Sequence, residues 1–134
     1  MAVETITISF NHGFRGTLKT EKQDVLVGSH ETGISPYNML FGALGSCLYA
    51  TFLEIARKKQ LTYTNVDVIV SGTKREEIPT TLNYVKVEMV VYNPSDTTGL
   101  EKTAKLAAKY CSIYETLSKV ATMETIIRFE KEDV

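Results

Sequence analysis

Apolar and polar residues alternate at the start of the chain. Ile6, Ile8 and Phe10 are interleaved with Thr7 and Ser9, the two-residue period of a strand. His12-Gly13 marks a turn, and Phe14, Gly16 and Leu18 then alternate with Arg15, Thr17 and Lys19, which predicts a hairpin. Asp24 to Val27 reads as a short third strand and Gly28 to Gly33 as a loop. At Ser35-Pro36 the period changes. Ser is a strong N-cap and Pro suits the first helical turn, so a helix is predicted from here to about Lys59. Its last turn carries Arg57, Lys58 and Lys59, which complement the negative end of the helix dipole. Val66, Val68 and Val70 then give one strand, and Thr81 to Tyr92, with Val85, Val87, Met89 and Val91 on one face, gives another. A second helix is expected near Thr98, where Thr98 and Glu101 fit a capping box. Ser112 and Glu115 suggest a third helix beginning just after Cys111, and Ile126 to Phe129 reads as a closing strand. No βαβαβ alternation appears, so the order predicts an α+β fold with a largely antiparallel sheet, one long central helix and two shorter ones.

The long helix has no charged residue from Met39 to Leu53. Leu40, Ala43, Leu44, Cys47, Thr51 and Ile55 are expected to share one stripe, and Met39, Phe41, Leu48, Phe52 and Leu53 extend the apolar surface around the cylinder. A helix that is apolar all round must be buried on most sides. A small domain rarely surrounds one helix with its own chain, so the pattern predicts a homodimer that buries this helix between subunits. Gly42, Ala43, Gly45 and Ser46 would let another backbone approach closely. The plainer reading is a core helix of a single chain.

The 134 residues fit one domain over residues 1–134, and 43% apolar with 23% charged content fits a globular chain. A formal net charge of -1 gives no electrostatic reason to expect nucleic-acid binding. The first residues lack a basic stretch followed by an apolar run, and the uncharged run Ile34 to Leu53 is polar at its start. A cytoplasmic protein with no membrane span is therefore expected. The two cysteines, Cys47 and Cys111, form neither a CxxC pair nor a zinc spacing. No cofactor or metal is expected, and in a reducing compartment both would be thiols. His12 and His30 are expected at the surface. Tyr37, Tyr49, Tyr110 and Tyr114 are expected to line a core or a pocket rim.

The stretch Ser35-Pro36-Tyr37-Asn38-Met39-Leu40-Phe41-Gly42-Ala43-Leu44-Gly45-Ser46-Cys47-Leu48 resembles the central-helix pattern of the OsmC/Ohr superfamily. In that pattern Ser/Asn-Pro precedes an apolar, Ala/Gly-rich turn and then Cys. Cys111-Ser112-Ile113-Tyr114-Glu115-Thr116-Leu117 is similar to the segment in which that family carries its second Cys before a short helix. The resemblance covers nearly the whole chain. It implies an entwined homodimer of OsmC-like fold with a site at the subunit interface. It also implies a thiol-dependent peroxidase acting on organic hydroperoxides in an oxidative-stress response. In that activity the first Cys attacks, the second resolves, and an Arg and a Glu assist. Arg15 matches the assisting Arg of the N-terminal hairpin. Tyr37 stands where the family usually has the activating Glu, and Ser112 where its second Cys is commonly followed by Pro. The departure at Tyr37 motivates the alternative, a non-enzymatic module binding an apolar small molecule at the dimer interface.

Such chemistry needs a thiolate. The sulfenic acid it forms condenses with a second thiol to a disulfide, and a dithiol reductant of unknown identity restores both thiols. Cys47, mid-helix among apolar neighbours, has a raised pKa unless a cation is near, and Arg15 is the candidate cation. Glu54, two turns after Cys47, and Glu115, one turn after Cys111, are candidate substitutes for the missing carboxylate. Cys111 precedes a helix, and on local physics alone it would be the more acidic thiol. The resemblance names Cys47 instead. Disulfide exchange or persulfide transfer is a third possible use of the pair, and two packed, inert core thiols are the bland reading.

Overall fold

The computed structural model describes residues 1–133, in the order β1 (Thr7–Phe10), β2 (Arg15–Lys19), β3 (Asp24–Gly28), α1 (Pro36–Lys58), β4 (Asn65–Lys74), β5 (Leu82–Tyr92), α2 (Thr97–Tyr110), α3 (Ser112–Ser118) and β6 (Thr122–Glu130). The chain forms an α+β fold with two three-stranded sheets and three helices. It divides into two compact units, the first ending at Leu40 and the second beginning at Phe41.

The first unit is the antiparallel sheet β1-β2-β3. Its hairpin turns at His12 and Gly13, both with positive φ. Gly28 also has positive φ, and a Cβ there would run into the Phe14 carbonyl, so only glycine fits the bend. Val27 is fully enclosed, whereas Ile6, Ile8, Phe10, Phe14 and Leu26 are exposed. His30, expected at the surface, is half-buried, with its Nε2 3.2 Å from the Gly16 carbonyl oxygen. The helix start follows expectation: Ser35 Oγ accepts the Asn38 N–H at 3.2 Å.

In the second unit, β4 pairs antiparallel with β5, and β6 pairs parallel with β5. The parallel pairing departs from the expected antiparallel pattern. The connection through α2 and α3 is long enough to return the chain in the same direction. Register places Val66, Val68 and Val70 beside Val91, Met89 and Val87, and these three in turn beside Phe129, Ile127 and Thr125. Val85, Val87, Met89 and Val91 are buried on this face. The buried stripe of α1 consists of Leu44, Gly45, Leu48, Phe52 and Ala56, four-residue steps that follow the helical period. That stripe lies one position round from the predicted one: Leu48 and Phe52 lie at its centre, and Cys47, Thr51 and Ile55 on its half-buried flank. Gly45 brings the helix close to the sheet, since a Cβ there would touch Val68 and Val70 at 3.4 Å. α1 is long and apolar enough, by length and composition, to cross a membrane, but this stripe is packed as in a core helix. Gln60, with positive φ, closes its C-terminus, and the Leu61 N–H returns to the Ala56 carbonyl at 2.9 Å.

α2 starts one residue before the expected Thr98, because Asp96 is the N-cap and accepts the Gly99 N–H at 3.1 Å. Its buried side comprises Leu100, Thr103, Ala104 and Ala107. Lys59 Nζ reaches from just beyond the end of α1 to Thr103 Oγ1 at 3.3 Å. The closing strand is longer than Ile126 to Phe129, because pairing with β5 extends it in both directions.

Candidate functional site

Cys111 lies between two helices. It is the C-cap of α2, its N–H donating to the Ala107 carbonyl, and the N-cap of α3, its Sγ accepting the Tyr114 N–H at 3.4 Å. Its extended backbone (φ -74°, ψ 118°) turns the chain between α2 and α3. The N-cap is thus Cys111 itself, where Ser112 was expected. The packing of α1 then brings Cys47 opposite: the Cys111 thiol lies 3.2 Å from Cys47 Sγ. Two cysteines 64 residues apart in sequence become direct neighbours. Cys111 is buried and Cys47 half-buried, so Cys47 is the more accessible of the two. Both are free thiols.

Their electrostatics are opposite. Burial pushes the Cys47 thiol up, but the hydrogen bonds it accepts outweigh burial. They come from the Ile113 N–H, the Cys111 thiol, and the Ser112 side chain and N–H, and together they hold Cys47 below the ordinary thiol value. Burial also pushes Cys111 up. The Tyr114 N–H opposes this, but Cys111's hydrogen bond to Cys47 and the charge on Cys47 favour its neutral form. Of the two, Cys47 is therefore the sulfur more readily ionised, and the Cys111 thiol is directed at it. Local physics read from sequence favoured Cys111 as the acidic member. The structure reverses that order, because the N–H groups of Ser112 and Ile113 serve Cys47.

Of the other predicted residues, Arg15 opens β2 in the first unit and is exposed. Glu54 pairs with Lys58 at 3.3 Å and Glu115 with Lys119 at 2.8 Å, both at the surface. Neither carboxylate is among the hydrogen-bond partners of Cys47, which sequence reasoning had not found: Ile113 and Ser112. The Cys-Ser step in the motif was visible, but nothing in it shows which sulfur the donors would face. Tyr114 is half-buried, and its hydroxyl accepts from Thr125 Oγ1 at 2.8 Å, fixing α3 on β6. Among the described residues no group of His, Cys, Asp and Glu could hold a metal ion.

A groove of ≈ 330 Å³ runs along α1 between Phe41, Gly42, Ser46 and Tyr49 and the valines of β4. At 100° per residue, it faces a different flank of the helix from Cys47.

A close pair of thiols between a core helix and an interhelical cap, in a chain of α+β fold, defines a two-cysteine thiol protein. The OsmC-like protein family matches residues 28–125, which include both cysteines; the chain belongs to that family. No curated protein matches the sequence. Among solved structures, a hypothetical protein from Aquifex aeolicus VF5 is 22% identical, with a TM-score of 0.88 over 99% of this chain and 100% of that one. An OsmC like protein from Mycoplasma pneumoniae is 17% identical, with a TM-score of 0.85 over 96% of this chain and 97% of that one. The organic hydroperoxide resistance protein OhrB of Bacillus subtilis is 14% identical, with a TM-score of 0.66 over 95% of this chain and 100% of that one. At these identities the likeness is one of fold.

Proposed function

We propose that the protein is a cytoplasmic, thiol-dependent peroxidase for organic hydroperoxides, acting in an oxidative-stress response, with Cys47 as attacker and Cys111 as resolver. The observation that carries this is the 3.2 Å contact between a half-buried sulfur and a buried thiol. The Cys47 thiolate attacks the terminal oxygen of a hydroperoxide, the O–O bond breaks, and the electron pair leaves on the alkoxide, which takes a proton from water. Cys47 is then a sulfenic acid. The Cys111 sulfur attacks Cys47, an S–S bond forms, the S–O bond breaks, and water carries away the hydroxyl and the Cys111 proton. Since a disulfide bond is about 2.05 Å long, the sulfurs need to close by only about 1.2 Å. A dithiol reductant then exchanges with the disulfide, is itself oxidised and restores both thiols.

Consumption of cumene hydroperoxide in the presence of dithiothreitol tests the proposal. Turnover by the native protein and none by C47S is expected; equal rates for the two would overturn it. The groove beside α1 supports a homodimer in which a second copy seats against Gly42 and Ser46. It is also the observation that favours the second reading, an apolar ligand held at the interface. Native mass spectrometry separates the two, as a dimer of bare chain mass or as chains carrying an added apolar species.

A further inference from the structure

Cys111 is held through its N–H, its carbonyl and its sulfur. The N–H donates to the Ala107 carbonyl at 2.8 Å, the carbonyl accepts the Glu115 N–H at 3.0 Å, and Sγ accepts the Tyr114 N–H at 3.4 Å. The first two bonds fix its backbone between α2 and α3. The third fixes its side chain, because an N-cap side chain settles in the staggered χ1 well that meets the N–H three residues on. In that well the Cys111 sulfur also lies 3.2 Å from Cys47 Sγ. The Tyr114 N–H thus selects the rotamer that faces Cys47. α3, which carries Tyr114, has seven residues, too few to be stable as an isolated helix. Its place is set by what it packs on. Leu117 is buried toward its far end, and toward its start the Tyr114 hydroxyl accepts from Thr125 Oγ1 at 2.8 Å. Thr125 pairs in register with Val87 of β5, the middle strand of its sheet. A continuous line of contacts runs from that strand through Thr125 and Tyr114 to the Cys111 sulfur.

We propose that Tyr114 and Thr125 are positioning residues for the resolving thiol: their hydroxyl bond seats α3 on β6 and keeps the Tyr114 N–H where it aims Cys111 at Cys47. This rests on Cys111 closing a disulfide with Cys47. The bond bears on the closing step and not on the attack by Cys47, whose sulfur is carried by α1. Closing joins two sulfurs already in contact, and such a step is fast only while the reacting atoms stay in register.

The test separates the two steps with an aromatic disulfide, dithiobis(nitrobenzoate), in the native protein, Y114F, T125V and T125S. The Cys47 thiolate attacks the reagent and releases one thionitrobenzoate. Cys111 then attacks Cys47, the Cys47–Cys111 bond forms, the second thionitrobenzoate leaves, and the Cys111 proton passes to the buffer. Y114F and T125V should slow the second release about tenfold, the usual worth of one hydrogen bond, with the first release within about twofold of native. T125S, which keeps the hydroxyl, should restore the second phase. Second phases of equal rate in the native protein, Y114F and T125V would overturn the assignment. So would equal slowing of both phases, or failure of T125S to restore the second. With excess cumene hydroperoxide, the slowed variants should also accumulate more Cys47 sulfinic acid than the native protein, because the sulfenic acid waits longer for Cys111; equal sulfinic acid would count against the proposal. The aromatic disulfide involves no peroxide. A slowed second phase in a protein without hydroperoxide turnover would therefore retain the positioning pair and reject the peroxidase, and turnover with an unchanged second phase would do the reverse.

Discussion

The two sulfurs differ in environment more than in sequence context. Cys47 accepts several donors, and Cys111 is enclosed and gives its proton toward Cys47. The sign of the pH dependence follows. Cys47 lies below the ordinary thiol value of 9.0 and Cys111 above it, so below that pH Cys47 holds the larger thiolate fraction. Iodoacetamide should label Cys47 first throughout that range, with a midpoint on the acid side of Cys111's; faster labelling of Cys111 would contradict this. C111S should keep one round of hydroperoxide reduction and lose the intrachain disulfide, which peptide mapping would read. The cysteine motif was legible because Ser35-Pro36 and the apolar turn before Cys47 are distinctive. The thiolate donors were not, because they depend on which sulfur the first N–H groups of α3 face. Glu54 and Glu115 were chosen by helical spacing to the cysteines. The same spacing places Lys58 and Lys119 one turn beyond each, the favourable Glu-to-Lys order for a surface pair. E54Q and E115Q should thus leave hydroperoxide turnover within about twofold of the native rate, as expected for exposed pairs of this kind.

Among the elements, α1 contributes to both core and site, through its buried stripe and Cys47. Phe52 and Leu48 are fully enclosed, and Tyr63 packs on Phe52 with ring centroids 5.7 Å apart. F52A should cost about 3–5 kcal/mol in chemical denaturation, the usual range for a phenylalanine lost from a packed core. D96A should cost about 1 kcal/mol by removing the N-cap of α2. The strands were legible where β-branched residues alternate, as in Val66 to Val70 and Val85 to Val91. The direction of β6 was not, because Ile126 to Phe129 has the same pattern whichever way it runs. The crossover through α2 and α3 decides it. The stripe of α1 was misplaced by one position for a related reason: with apolar residues on every side, sequence alone does not single out the face toward the valines of β4 and β5.

At the scale of the whole molecule, two compact units carry unequal cores. The first encloses Val27 but leaves Ile8, Phe10, Phe14 and Leu26 exposed, and in the second one flank of α1 borders an open groove. These surfaces support the proposed homodimer, and light scattering after size exclusion should give twice the chain mass of 15.0 kDa. The most direct test of the central claim is a single-turnover titration of the reduced protein with cumene hydroperoxide, followed by peptide mapping under non-reducing conditions. One equivalent per chain should convert both free thiols into a Cys47–Cys111 disulfide within one chain. Unchanged thiols after that equivalent, or oxidation that begins at Cys111 in C47S as fast as in the native protein, would contradict it.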